Sequence, residues 1–301
     1  MQPSSISTTH SGGWLSVTGV PVPQANELLG ASYQLYYRAL TNETILRTVG
    51  YALPMALHTH VQTVAPTTAF TSTRLLEQTS RSRSGGEAAN STLGGPANML
   101  SRDVQLVHPS FLRSMYKTDE YIPVAMDKNS LGIAGFEYEY PSQDDLETFM
   151  ANFRFEGAAA TFYHVLSDPG VGGPYHLGKA ANFETQYSIV ISYPTPVIFY
   201  TASGGNPPQI WPNGRPSPGD PYFKWLDHML NLPTVPQTIN VGYGTYETTI
   251  PTEYAAALCL LFAELGVRGA SVLAGSGYSG VGGGDCVHFY TIFPASCRCG
   301  I

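Results

Sequence analysis

The residues best suited to chemistry gather in the C-terminal part of the chain. Gly275-x-Gly277-x-x-Gly280 follows an apolar run and has the glycine spacing that lets a strand-to-helix turn approach a pyrophosphate. Val-Gly-Gly-Gly-Asp-Cys follows it in place of a helix, and no acid lies about 20 residues further on, so a structural glycine loop is the default reading. Ser276 and Ser279 offer hydroxyls in the same stretch, but a hydroxyl attacks only when a base takes its proton. No histidine adjoins them in sequence; His288 would have to approach in space. His58-Thr-His60 places two imidazoles two residues apart, a spacing that does not face them together on a helix. Cys259, Cys286, Cys297 and Cys299 form an even local set that permits a disulfide, most simply Cys286 to Cys297 or Cys299. The Cys-x-Cys spacing fits no zinc pattern. Asn42-Glu-Thr44 and Asn90-Ser-Thr92 are glycan acceptors only if the chain is secreted.

The whole chain must position these groups. Its 301 residues are 43% apolar, enough for a sizeable core and too much for disorder. Charged residues are 12%, about half the usual share of roughly 25%. The net charge of −7, with no basic stripe, argues against a nucleic-acid partner. No apolar run reaches the roughly 18 residues of a membrane-spanning helix, so no membrane partner is expected. The opening MQPSSISTTHSGGWL has neither a charged nor an apolar leader region and does not read as a signal peptide.

Three regions follow. Residues 1–70 read as a small α+β unit. Within it 14–21 and 45–54 are strands. Residues 25–40 are predicted helical from Leu28, Leu29, Tyr33, Tyr36 and Tyr37, and 56–66 form a short helix before Pro66. Residues 71–104, rich in Ser, Gly, Ala and Asn, read as an exposed linker in which Arg81-Ser-Arg83 suits proteolytic nicking. Residues 105–301 alternate strand and helix signals, the pattern of an α/β domain. Strands are expected at 131–138, 238–244 and 269–277, and helices at 143–153, 220–231 and 251–267. The apolar run 187–200 is broken by Pro194 and Pro196.

Several of these stretches, taken in order, carry a resemblance. TINVGYGTYETTIPTEYAAALCLLFAELGVRGASVLAGSGYSGVGGGDC (238–286) resembles the core of the sedolisins, the serine-carboxyl peptidases that include tripeptidyl peptidase. KAANFETQYSIVISYPTPVIFYTASGG (179–205) resembles the motif around that family's acidic catalytic pair. Residues 14–70 resemble its activation prodomain, and VHPSFLRSMY (107–116) the start of its mature enzyme. The resemblance implies a subtilisin-like α/β fold: a mostly parallel sheet flanked by helices, a cleft at the carboxyl ends of the strands, and a prodomain-like α+β unit in front. It also implies a secreted protein, against which stands the N-terminus just described.

The same resemblance assigns roles position by position. The family uses a serine nucleophile, a glutamate base, an aspartate four residues after that base, and a second aspartate that helps hold the oxyanion. Here the first aspartate position is Glu184, the base position is Ala180, and the oxyanion position in Ser276-Gly277-Tyr278-Ser279-Gly280 is Tyr278. The nucleophile turn and the family's calcium loop would follow the FPASC segment, and this sequence reads FPASCRCGI to Ile301. The expectation is therefore a pseudopeptidase with no cofactor and no metal. Its cleft is expected to take a small-molecule or peptide ligand, or to run non-proteolytic chemistry such as a cyclisation. Glu184 and Tyr278 are the candidate repurposed catalytic pair. Gly242, Tyr243, Gly244 and Ser276 are candidates for substrate binding, with Gly242 standing where the family has serine. Homodimerisation or a permanently docked prodomain is expected to cover an otherwise open face. An acid peptidase with another nucleophile and a non-enzymatic partner-binding protein are the rival readings.

Overall fold

The computed structural model describes residues 5–9, 12–38, 43–65, 67–68, 70, 74–75, 107–125, 128–168, 175–203, 221–277 and 289–298. The N-terminal region holds β1 (Ser5–Thr8), β2 (Leu15–Thr18), α1 (Val22–Leu28), β3 (Gln34–Arg38) and β4 (Glu43–Arg47), followed by β5 (Arg74–Leu75). β1 pairs with β2 and β3 with β4, both antiparallel. The helix expected over 25–40 is confined to α1, because Gly30 takes a left-handed φ of +51° directly after it and the chain leaves as strand β3. In that strand Tyr36 turns inward to meet Phe70 edge-on at 4.9 Å while its neighbours Leu35 and Tyr37 face water. The helix expected over 56–66 shrinks to one 3-10 turn, Met55–Leu57, since the β-branched Thr and Val residues that follow favour extended chain. Of the linker expected over 71–104, Arg74 and Leu75 form a strand, and the rest lies outside the described residues.

The main body runs α2 (Pro109–Met115), β6 (Leu131–Gly135), β7 (Glu139–Tyr140), α3 (Gln143–Phe153), β8 (Tyr163–Leu166), β9 (His176–Leu177), α4 (Lys179–Ser192) and β10 (Val197–Thr201). It continues with α5 (Pro221–Asn231), β11 (Thr238–Val241), β12 (Tyr243–Tyr246), α6 (Thr252–Val267), β13 (Ser271–Ala274) and β14 (Ile292–Phe293). Five strands in the order β13-β11-β6-β10-β8 form a fully parallel sheet, so the chain is an α/β protein. Strand alternation splits the core in two. Ile133, Val197 and Phe199 pack on Leu146 and Met150 of α3 and on Ile189 and Val190 of α4. Ala134, Tyr200, Ile239, Val241 and Val272 pack on Trp225, Leu226 and Met229 of α5 and on Leu258 and Phe262 of α6.

Local chemistry sets the ends of these elements. Ser142 caps α3 by accepting from the Asp145 amide at 3.2 Å, with Asp144 and Asp145 in the positive first turn. The guanidinium of Arg268 donates to the carbonyls of Met229 (3.1 Å), Leu230 (2.7 Å) and Leu232, closing the end of α5. At the carboxyl ends of β8 and β10, Asp168 accepts from the Ser203 amide at 3.1 Å and from Lys224 at 3.5 Å. The expected strand 238–244 divides at Gly242: β11 stays in the parallel sheet, and β12 enters a three-stranded sheet ordered β14-β12-β5.

The disulfide differs from expectation. Cys297 is bonded to Cys259, with Cα atoms 5.4 Å apart, and not to Cys286. Cys259 is half-buried on α6 and packs against the core cluster, and the turn after β14 brings Cys297 against it. Closeness in sequence carried no information about that approach. Cys286 and Cys299 lie outside the described residues.

Candidate functional site

Glu184 lies in the second turn of α4, where the sequence Lys179-Ala-Ala-Asn-Phe-Glu-Thr-Gln-Tyr places positions 180, 184 and 187–188 along one flank of the helix. Its carboxyl is buried and directed at the sheet. The Asn240 side-chain amide, from the middle of β11, donates to its Oε2. Gly242, two residues on and on the same face of the chain, lies beside Oε1, and a Cβ built there would overlap that oxygen. Burial pushes the Glu184 carboxyl up to about 7, and the Asn240 hydrogen bond holds it back from rising further. Among the described residues no cation pairs with it.

Beside this carboxyl opens a cavity of 690 Å³. Thr238 and Asn240 of β11, Gly242 just after it and Leu273 of β13 make its floor, and Phe183, Tyr187 and Ile191 of α4 its wall. Ser276 and Gly277 close one end, beyond the carboxyl ends of the strands where open α/β sheets accept ligands. Phe183, Ile191 and Leu273 remain substantially exposed, and the lining sets this apolar surface beside many polar side chains, among them Ser130, Ser188, Thr195 and Gln237.

The structure brings Glu184, Gly242 and Ser276 to this one cavity. Ala180 is buried, turned into the cluster that also holds Phe136 and Tyr243. Tyr243 does not line the cavity. Its ring is fully buried 5.0 Å from Phe136, and burial drives its hydroxyl well above the ordinary phenol range. Its carbonyl accepts from Tyr222 Oη at 2.7 Å. Tyr243 and Gly244 are also already paired: β12 runs antiparallel to β5, Tyr243 opposite Leu75 and Gly244 opposite Arg74. The edge on which a peptide was expected is thus occupied by the chain's own residues 74–75. The N-terminal region touches the body again at Trp14, whose ring lies 4.6 Å from Phe223 and 6.2 Å from Tyr254. Tyr278, Ser279 and His288 lie outside the described residues. His58 Nε2 meets the Leu53 carbonyl at 2.9 Å. Among the described residues no group of three or more His, Cys, Asp or Glu side chains is placed to hold a metal ion.

Asn240 escaped the sequence reading. The signal was there: in Thr-Ile-Asn-Val-Gly, the period of two sets Thr238, Asn240 and Gly242 on one face against Ile239 and Val241 on the other.

Fold and site together define a layered parallel α/β protein with a buried carboxyl facing a cleft beside the sheet. The model of the Pro-kumamolisin activation domain matches residues 1–70. The chain is 30% identical over 315 aligned residues to a probable tripeptidyl-peptidase SED2 of Trichophyton verrucosum, covering 95% of this chain and 50% of that protein. It is 29% identical over 301 residues to tripeptidyl-peptidase SED2 of Arthroderma otae, with the same coverages of 95% and 50%. A solved structure of Pseudomonas sedolisin, a serine-carboxyl proteinase complexed with two molecules of pseudo-iodotyrostatin, superposes with a TM-score of 0.47 and 17% identity, over 64% of this chain and 52% of that one. The chain is thus similar to tripeptidyl-peptidases of the sedolisin type along nearly its whole length, and to their activation domain over residues 1–70. It spans about half the length of the curated relatives it matches.

Proposed function

We propose that this sedolisin-like chain does not cleave peptides, and that its cleft holds a small ligand, either for binding alone or for non-proteolytic chemistry such as a cyclisation. The observation that carries this is Ala180. At the position matched to the family's base stands a methyl group, buried and unable to accept a proton. Position 180 lies inside the matched motif, so this support does not depend on where the chain stops. A second support is the neighbouring carboxyl: Glu184 is engaged by Asn240 and lies against Gly242, facing the cavity. In the enzyme version Glu184 acts as acid or base and Tyr278 supplies a hydrogen bond. Full function with both Glu184→Gln and Tyr278→Phe would leave only the binding version.

The rival reading, an acid-acting tripeptidyl peptidase, draws on what the two fungal relatives are called. An assay at acid pH on tripeptidyl and protein substrates separates the two. No hydrolysis above background is expected. Hydrolysis that a serine-directed inhibitor stops would overturn the proposal.

A further inference from the structure

We propose that Glu184, fixed by the Asn240 amide and by the bare backbone of Gly242, receives the amine of a small ligand whose apolar body lies along Phe183, Tyr187, Ile191 and Leu273. This rests on the reading of the cleft as a ligand site and names the class of ligand.

Four observations converge. Oε2 of Glu184 is taken by Asn240, while Oε1 faces Gly242 with no hydrogen-bond donor on it among the described residues. The carboxyl is buried yet lines the cavity, so its open oxygen is presented to an incoming group. No cation of the described chain offsets its charge, and a buried carboxylate without a partner is costly. A ligand ammonium would remove that cost. Phe183, Tyr187 and Ile191 stand beside Glu184 on α4 and Leu273 lies on β13, an apolar surface that suits a hydrocarbon body, and Glu184 is the one charged side chain among the described lining residues. The bare Gly242 is a condition of the arrangement. A side chain there would displace the end of a flexible glutamate and leave the backbone in place, so the glycine positions the carboxyl and contributes little else.

The ionisable groups around Glu184 are few. Tyr187 stands one turn along α4. Tyr243, on β12, is held neutral by burial, and Glu137 and Glu139 after β6 bear on Tyr243. Glu184 gains its charge as pH rises through about 7. An amine ligand stays cationic across that window, so binding should strengthen from pH 5 to pH 8.

Phenethylamine, phenethyl alcohol and 3-phenylpropionate share one ring and differ in charge. Their dissociation constants for the full chain, measured by titration calorimetry with chemical-shift mapping, test the proposal. Phenethylamine should bind about tenfold more tightly at pH 8 than at pH 5, and about tenfold more tightly at pH 8 than the alcohol. Glu184→Gln should abolish both differences, and Gly242→Ser should do the same with the fold intact by circular dichroism. If Glu184→Gln does not fold, the pH series on the unaltered chain decides alone. Equal binding of amine and alcohol at the cavity would overturn the amine assignment and leave the ligand-site reading standing. Binding of none of the three would overturn both.

Discussion

The two faces of strand β11 are built for different tasks. Ile239 and Val241 are fully buried against α5 and α6, in a cluster that includes Trp225, Tyr222, Leu226 and Met229 with no exposed surface. Thr238 and Asn240, on the other face, look into the 690 Å³ cavity, with Leu273 of the neighbouring strand 55% exposed. The apolar packing of α3 and α4 falls on β6 and β10, whereas α4 meets β11 through the Glu184 carboxyl and the Asn240 amide. Stability is concentrated on one side of a single strand, and the polar site occupies the other. A carboxyl such as Glu184 persists on the cavity side because the packed side supplies the free energy that its burial costs.

This contrast can be broken most strongly from the packed side. Trp225→Ala should cost about 3–5 kcal/mol, read from chemical denaturation, because α5 has no other residue to fill that volume. A loss of under 1 kcal/mol would mean that the two faces are not as unequal as their burial indicates. Cys259→Ser, which opens a loop closed across 38 residues, should cost about 2–4 kcal/mol, with a lower thermal midpoint under oxidising conditions only.

The cavity side should respond to pH. The Glu184 carboxyl moves from the ordinary 4.5 to about 7 on folding, so the folded chain holds its proton more tightly than the unfolded one. That contribution to stability is complete below pH 4.5 and is lost as pH rises to about 7. Glu184→Gln should therefore match the parent at pH 4 and exceed it by up to about 3 kcal/mol at pH 8. Equal stability of the two proteins at both pH values would show that the carboxyl is not desolvated. The smallest effect is expected at Leu273→Ala, within about 0.5 kcal/mol, since its side chain leaves no cavity in a packed core.

Much of the body was legible in the sequence. α3, α5 and α6 lie where their periodicity and opening residues placed them, and Pro194 and Pro196 separate α4 from β10. These are long segments whose local signals agree with their burial. The N-terminal region was less legible. There Tyr36 and Tyr37, two of the residues at helical spacing, belong to a strand, because one left-handed glycine ended the helix early and tertiary pairing with β4 took over. Within the site, Glu184 and Gly242 were named from the sequence, but as separate positions.

The sequence by itself carried the resemblance to the sedolisins, the alternation of strands and helices, and the residues at positions 180, 184, 242 and 278, all of which are written in local residue order. Only the tertiary structure decided that Asn240 would grip Glu184, that Gly242 would make room for it, that Arg74 and Leu75 would pair with β12, and that Cys259 would be the partner of Cys297. Each of those is a contact between residues far apart in the chain, and its geometry follows from how layers pack, which no local pattern encodes.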